Sequence, residues 1–305
     1  MESIPPSAPV PPPLPPVLPE QPPPSTPDPL PPQRAQSISV GLAFASIGVC
    51  LAAQMGIQIV FALIGAALGN PVLGTSPWTM AVGILLSMGA VAGFLALFRV
   101  DLRLTASLGF PQPHRTIPAV VLLTVAGWIV SMQVGLTTER LVPMPKAIEE
   151  MFRQFLDPRF PFGLLLAVVV AAPIAEEYVC RGIVLPALQH RWGSVVAIVG
   201  SGLAFGAMHM NPWQFFYAAL LGVTLGWLRV QSGSILPGIL LHALNNLISW
   251  LLLIHPSVIP KGREFVDKTA HEVPTTWLLL SALIFPLGFL LLGQRRIEPP
   301  EATTP

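Results

Sequence analysis

The chain has 305 residues, 52% of them hydrophobic and only 10% charged, with a formal net charge of +1. Soluble domains carry about 25% charged residues, so an ordinary soluble domain is excluded, and the balanced charge with no long basic run gives no nucleic-acid partner. Several apolar runs of about 20 residues predict an all-α, polytopic transmembrane helix bundle.

Roughly half of residues 1–32, "MESIPPSAPVPPPLPPVLPEQPPPSTPDPLPP", are proline. Such a composition cannot build a packed core, so residues 1–36 are expected to form a disordered tail with polyproline-II segments. The tail could dock an SH3-like or WW-like groove, although a spacer is the simpler expectation. No basic region followed by a short apolar core and a small-residue cleavage site is present, so no signal peptide is predicted.

Eight spans are predicted, at about 38–68, 79–98, 117–136, 163–188, 195–211, 215–230, 233–254 and 275–293. Residues 37–116 hold the first two, 117–254 a core of five, and 255–305 a loop, the last span and a short C-terminal tail. The short turns after the fourth and sixth spans carry Arg191 and Arg229. The positive-inside rule, read from short loops, then puts the N- and C-termini in the cytoplasm. Between the third and fourth spans, "KAIEEMFRQFLDPRF" (146–160) sets Ile148, Met151, Phe152, Phe155 and Leu156 at i, i+3, i+4, i+7 and i+8. That spacing predicts a short amphipathic helix on the membrane surface or against the bundle. Cys50 and Cys180 fall inside spans, outside any metal-ligand spacing, and read as small buried residues.

The fourth span interrupts its apolar run with "AAPIAEEYVCRG" (171–182). A charged side chain at mid-membrane costs about 2.5–3.5 kcal/mol on insertion scales, so such residues are usually functional. Glu177 and Arg181, at i, i+4 with the acid first, are set to pair. Glu176 lies about 100° further round the helix, without that partner, and an unpaired carboxylate in an apolar setting suits general acid–base chemistry. Pro173 removes a helical hydrogen bond just before the acids. "FGAMH" puts Phe205 and His209 on one face of the fifth span, and "HALNN" puts His242 and Asn246 on one face of the seventh. Counted from their turns, Glu176 and His209 are level in the membrane, and His242 is expected about 7 Å nearer the cytoplasm. A water between Glu176 and His209 could be activated for attack on a carbonyl, with His242 and Asn246 donating to the oxyanion. Alternatively, Glu176, His209 and His242 could hold zinc with a water in the open position. Side-chain chemistry leaves the metal undecided.

In this order, "EEYVCR", "FGAMH" and "HALNN" resemble the EExxxR, FxxxH and HxxxN motifs of the CPBP family, the CAAX proteases and bacteriocin-processing enzymes also called Abi. The resemblance covers about residues 117–254. It implies an intramembrane endopeptidase of the type that trims prenylated CaaX proteins, metal-dependent or glutamate-dependent, with a protein or peptide substrate in the bilayer. It makes Glu176 the general base, His209 its partner on the water, His242 and Asn246 the oxyanion donors, and Glu177, Arg181 and Phe205 supporting residues. The same family includes members assigned to bacteriocin self-immunity, a non-catalytic alternative. A transporter or proton relay is a third reading, disfavoured because no inverted repeat is evident.

Overall fold

A computed structural model describes residues 38–100, 108–255 and 272–292. The Pro-rich tail lies outside the described residues, as does the C-terminal tail after residue 292. Every described element is a helix. Helix α1 (Val40–Ala67) is followed by the one-turn α2 (Val72–Thr75), α3 (Pro77–Leu97), α4 (Pro113–Leu141) and α5 (Lys146–Phe155). A long helical stretch then runs from α6 (Pro161–Leu164) through a π-helical segment (Leu165–Ala171), α7 (Ala172–Glu177) and a second π-helical segment (Tyr178–Val184) into α8 (Leu185–Met208). Helices α9 (Pro212–Ser232), α10 (Leu236–Ile254) and α11 (Thr275–Leu292) complete the bundle.

Local chemistry explains the ends. Ser39 and Ser76 cap α1 and α3 with their side-chain oxygens, and Asn211 Oδ1 accepts from the Gln214 amide at 2.8 Å to open α9. Gly233, at φ 71°, closes α9 in the left-handed conformation that glycine alone adopts freely. Helix α5 stops five residues short of the expected 160, because Pro158 disfavours helical geometry at Asp157. There Asp157 turns back to accept from the Arg159 amide at 2.9 Å and from its guanidinium, which holds the carboxyl below the usual carboxylate range.

Among the described residues, six helical stretches are long and apolar enough to cross a membrane, rather than the eight expected. Two of the expected spans are one of these, the 48-residue stretch Pro161–Met208. It nevertheless folds back on itself at Gly193, whose φ of 82° breaks the helix. Cys180 Sγ lies 3.4 Å from Met208 Sδ, and a Cβ on Gly200 would meet Leu188 at 3.0 Å, so both pairs centre on Ser194. Helix α9 falls outside the six. It carries Gln214, Arg229 and Gln231, and it turns Ala218, Leu221, Leu225 and Leu228 into the protein core.

The 161–208 hairpin is the centre of the molecule. Val179, Ile183 and Val184 pack with Ala43, Cys50, Val91 and Leu95 of α1 and α3 on one side. On the other, Cys180 and Phe205 pack with Leu123 of α4, Leu225 of α9 and Leu241 of α10. Both cysteines are buried and free, as read from the sequence. Helices α8 and α9 touch backbone to backbone through Gly202, Gly206, Gly222 and Gly226. A Cβ on Gly222 would sit 2.8 Å from Gly202 Cα, and one on Gly206 2.7 Å from the Phe215 carbonyl. Two small-xxx-small faces thus meet, the packing that membrane helices use when lipid offers no hydrophobic drive.

Candidate active site

The acids sit in a six-residue α-helical piece between two π turns, and each turn strands a carbonyl. In the first, the Ala172 amide bonds the Ala167 carbonyl in the π register. The next carbonyl, Val168, would then need the N–H of residue 173, which is a proline. Asn246 Nδ2 of α10 donates to it instead, at 2.8 Å. In the second, the Leu185 amide bonds the Cys180 carbonyl, so the Arg181 carbonyl would need the N–H of residue 186, again a proline. Arg229 Nε of α9 donates to it at 3.3 Å. The same device, a π turn ended by proline, therefore ties the acid-bearing segment to α10 at one end and to α9 at the other. An unpaired carbonyl costs several kcal/mol in hydrocarbon, so both ties are strongly favoured.

Within that frame Arg181 Nη1 donates to Glu177 Oε1 at 2.7 Å, and both side chains are fully buried. Nη2 donates to the Gly222 carbonyl at 2.7 Å, which the absence of side chains at the α8–α9 crossing brings within reach. The guanidinium stacks over the Phe205 ring, 4.8 Å from its centroid. Phe205 also meets His209 and His242 edge-on, at centroid distances of 5.2 and 5.3 Å, so one ring spaces two imidazoles and a cation. His242 is 3% exposed and lies between the two acids, with Nδ1 3.5 Å from Glu177 Oε1 and Nε2 3.8 Å from Glu176 Oε2. The Glu176 side chain is 23% exposed.

The sequence-predicted residues therefore fall into one cluster of unequal closeness. Glu177 and Arg181 pair as their spacing implies. Glu176 finds His242 rather than standing alone, and the depth difference expected for His242 is closed by side-chain reach and by the π turns, which break the simple α-helical count. His209 joins through the Phe205 ring, and among the described residues it forms no ion pair with Glu176. Its Nδ1 lies 3.0 Å from the Phe205 carbonyl; a carbonyl only accepts, so Nδ1 is the donor there and Nε2 is the nitrogen left for another partner. Asn246 spends one N–H on Val168, leaving the other. Among the described residues, no group of three or more His, Cys, Asp or Glu is set to hold a metal ion.

Sequence reasoning missed Arg229, Gly222, Gly238 and the two stranded carbonyls. Part of the signal was present in the prolines at 173 and 186, five residues after Val168 and Arg181, and in the glycine pairs four apart on α8 and α9. The π register that gives those prolines their effect is visible only in the fold.

Residues 158–248 match a family model described as Rce1-like, type II CAAX prenyl endopeptidase Rce1-like. The match begins after α5 and takes in all three polar motifs. No curated protein and no solved structure matches the chain.

Proposed function

We propose that this chain, an integral membrane protein whose residues 158–248 match the Rce1-like family model, is an intramembrane endopeptidase acting on a membrane-anchored or lipidated (CaaX-type) protein. The observation that carries this reading is the division of labour between adjacent acids. Glu177 is fully buried and neutralised by Arg181, whereas Glu176 is partly exposed, free of any arginine, and beside His242. A carboxylate so placed can hold a water and take its proton as the oxygen adds to the peptide carbonyl. His242, and the second N–H of Asn246, lie on the α10 side as donors for the oxyanion that forms. His209 presents the Nε2 lone pair to the water's other proton. When the C–N bond breaks, the proton held at Glu176 passes to the leaving amine. The scheme needs only water, substrate and these side chains.

The family name adds a prenylated substrate as the first class to offer, and the topology proposed with it has both termini in the cytoplasm. The test compares protein termini, by mass spectrometry, in membranes containing wild type or Glu176→Gln at matched abundance. New termini made only by the wild type, and reproduced by purified protein in vesicles, support the peptidase. Identical termini with both proteins folded favour the non-catalytic immunity or binding reading.

A further inference from the structure

His242 has a carboxylate on each ring nitrogen, and the two are not equivalent. Glu177 is paired with Arg181 at 2.7 Å, in a setting with no exposed surface. Its Oε1 faces His242 Nδ1 at 3.5 Å. Nδ1 is buried and makes no hydrogen bond elsewhere, and Glu177 Oε2 is likewise buried and unpartnered. If Nδ1 carried a lone pair, two acceptors would face one another in a dry interior, the costliest arrangement open to buried polar groups. With a proton on Nδ1, an orphaned donor meets a carboxylate oxygen that can accept a second bond beside that from Arg181. Gly238, one turn before His242 on α10, makes the approach possible: a Cβ there would lie 2.9 Å from Glu177 Oε2. Arg181, held by Glu177 and by the Gly222 carbonyl, keeps the acid from rotating away.

We infer that Glu177 is a positioning residue that fixes the tautomer of His242, directing Nδ1–H at itself and leaving the Nε2 lone pair toward Glu176. Building on the peptidase reading, this gives His242 a definite part. As the water oxygen bonds the carbonyl carbon, the proton taken by Glu176 crosses to Nε2, 3.8 Å away. The new Nε2–H then faces the oxyanion, and the Glu177 carboxylate offsets the charge on the ring. When the C–N bond breaks, the same proton returns through Glu176 to the leaving nitrogen, and both groups end as they began. The logic is that of an acid behind a catalytic imidazole, with the acid itself anchored by a buried arginine.

The experiment is ring-nitrogen NMR of histidine-labelled protein in nanodiscs, with His242 assigned by the signal lost in His242→Gln. The wild type is expected to show His242 as the Nδ1–H form. The Nε2–H neutral form in the wild type would overturn the inference at once. Removing both members of the pair (Glu177→Ala with Arg181→Met) avoids leaving a buried charge. In that variant the Nδ1–H form is expected to give way to Nε2–H, and an unchanged tautomer refutes the role of Glu177. Gly238→Ala, which crowds Glu177 without changing any charge, should weaken the Nδ1–H signal in the same direction, and no change there also counts against it. No substrate is involved, so a failed search for cleaved termini leaves this result standing, and the reverse holds too.

Discussion

Replacing Arg181 with methionine removes one half of an ion pair with no exposed surface on either side chain. Three things are lost together: the 2.7 Å bond to Glu177, the 2.7 Å bond to the Gly222 carbonyl, and the stack on Phe205. What dominates is the charge left behind on Glu177. Breaking a buried pair from one side costs about 3–5 kcal/mol. A protein of this size shifts by about 2–4 °C per kcal/mol, so Tm should fall by about 6–20 °C. Glu177→Gln made in the same protein removes the orphaned charge and keeps the shape, so the double variant should recover much of the loss. Thermal unfolding in one detergent, run on wild type, both single variants and the double, closes the cycle. Strong non-additivity, at least about 2 kcal/mol, is expected for groups in contact. Additive losses, or a single variant that melts with the wild type, would refute the claim that this pair is coupled and dry.

Asn246→Leu should leave the Val168 carbonyl without a donor and lower stability by about 1–3 kcal/mol, read as a Tm shift independent of any activity. Gly222→Ala would place a Cβ 2.8 Å from Gly202 Cα and 3.2 Å from Arg181 Nη2, an overpacking worth about 1–3 kcal/mol. Gly41→Ala, where nothing lies within 4 Å, is the matched control and should melt at or slightly above the wild-type temperature. The Asp157 carboxyl is held below its ordinary value of 3.8 chiefly by the hydrogen bond from Arg159. A depressed folded value contributes stability above the unfolded value and loses it as pH falls through the folded one. Proteolysis of the 156–160 turn should therefore quicken only below about pH 4, and Arg159→Ala should abolish that step, with the turn cut faster already at neutral pH.

Much of the site was legible in the chain. Apolar runs can satisfy their backbone in a bilayer only as helices, so the all-α class followed from composition. The i, i+4 spacing of Glu177 and Arg181 committed them to one helix face, and the fold-back near Ser194 followed from the arginine-bearing break between two apolar runs. Phe205 and His209 met as their spacing required. The amphipathic pattern at 146–160 also gave a helix, shortened by Pro158.

The number of membrane-crossing stretches did not follow so simply. A hairpin that stays helical through its turn reads as one stretch, and α9, enclosed by neighbours, tolerates polar residues that a lipid-facing helix would not. Partnerships across helices were beyond the sequence for a sharper reason. Hydrogen-bond registers are local, and whether residues 165–171 wind as α or π decides which carbonyl Pro173 leaves bare. Only then does Asn246 acquire the Val168 carbonyl, Arg229 the Arg181 carbonyl, and Arg181 the Gly222 carbonyl exposed by a crossing without side chains. The sequence by itself determined which polar groups must be buried in the bilayer, because their chemistry forbids leaving them there unused. Tertiary structure decided what the two acids and Arg181 meet on other helices, His242 between the acids and the Gly222 carbonyl behind the arginine, because those contacts depend on distances between helices that no spacing along one chain contains.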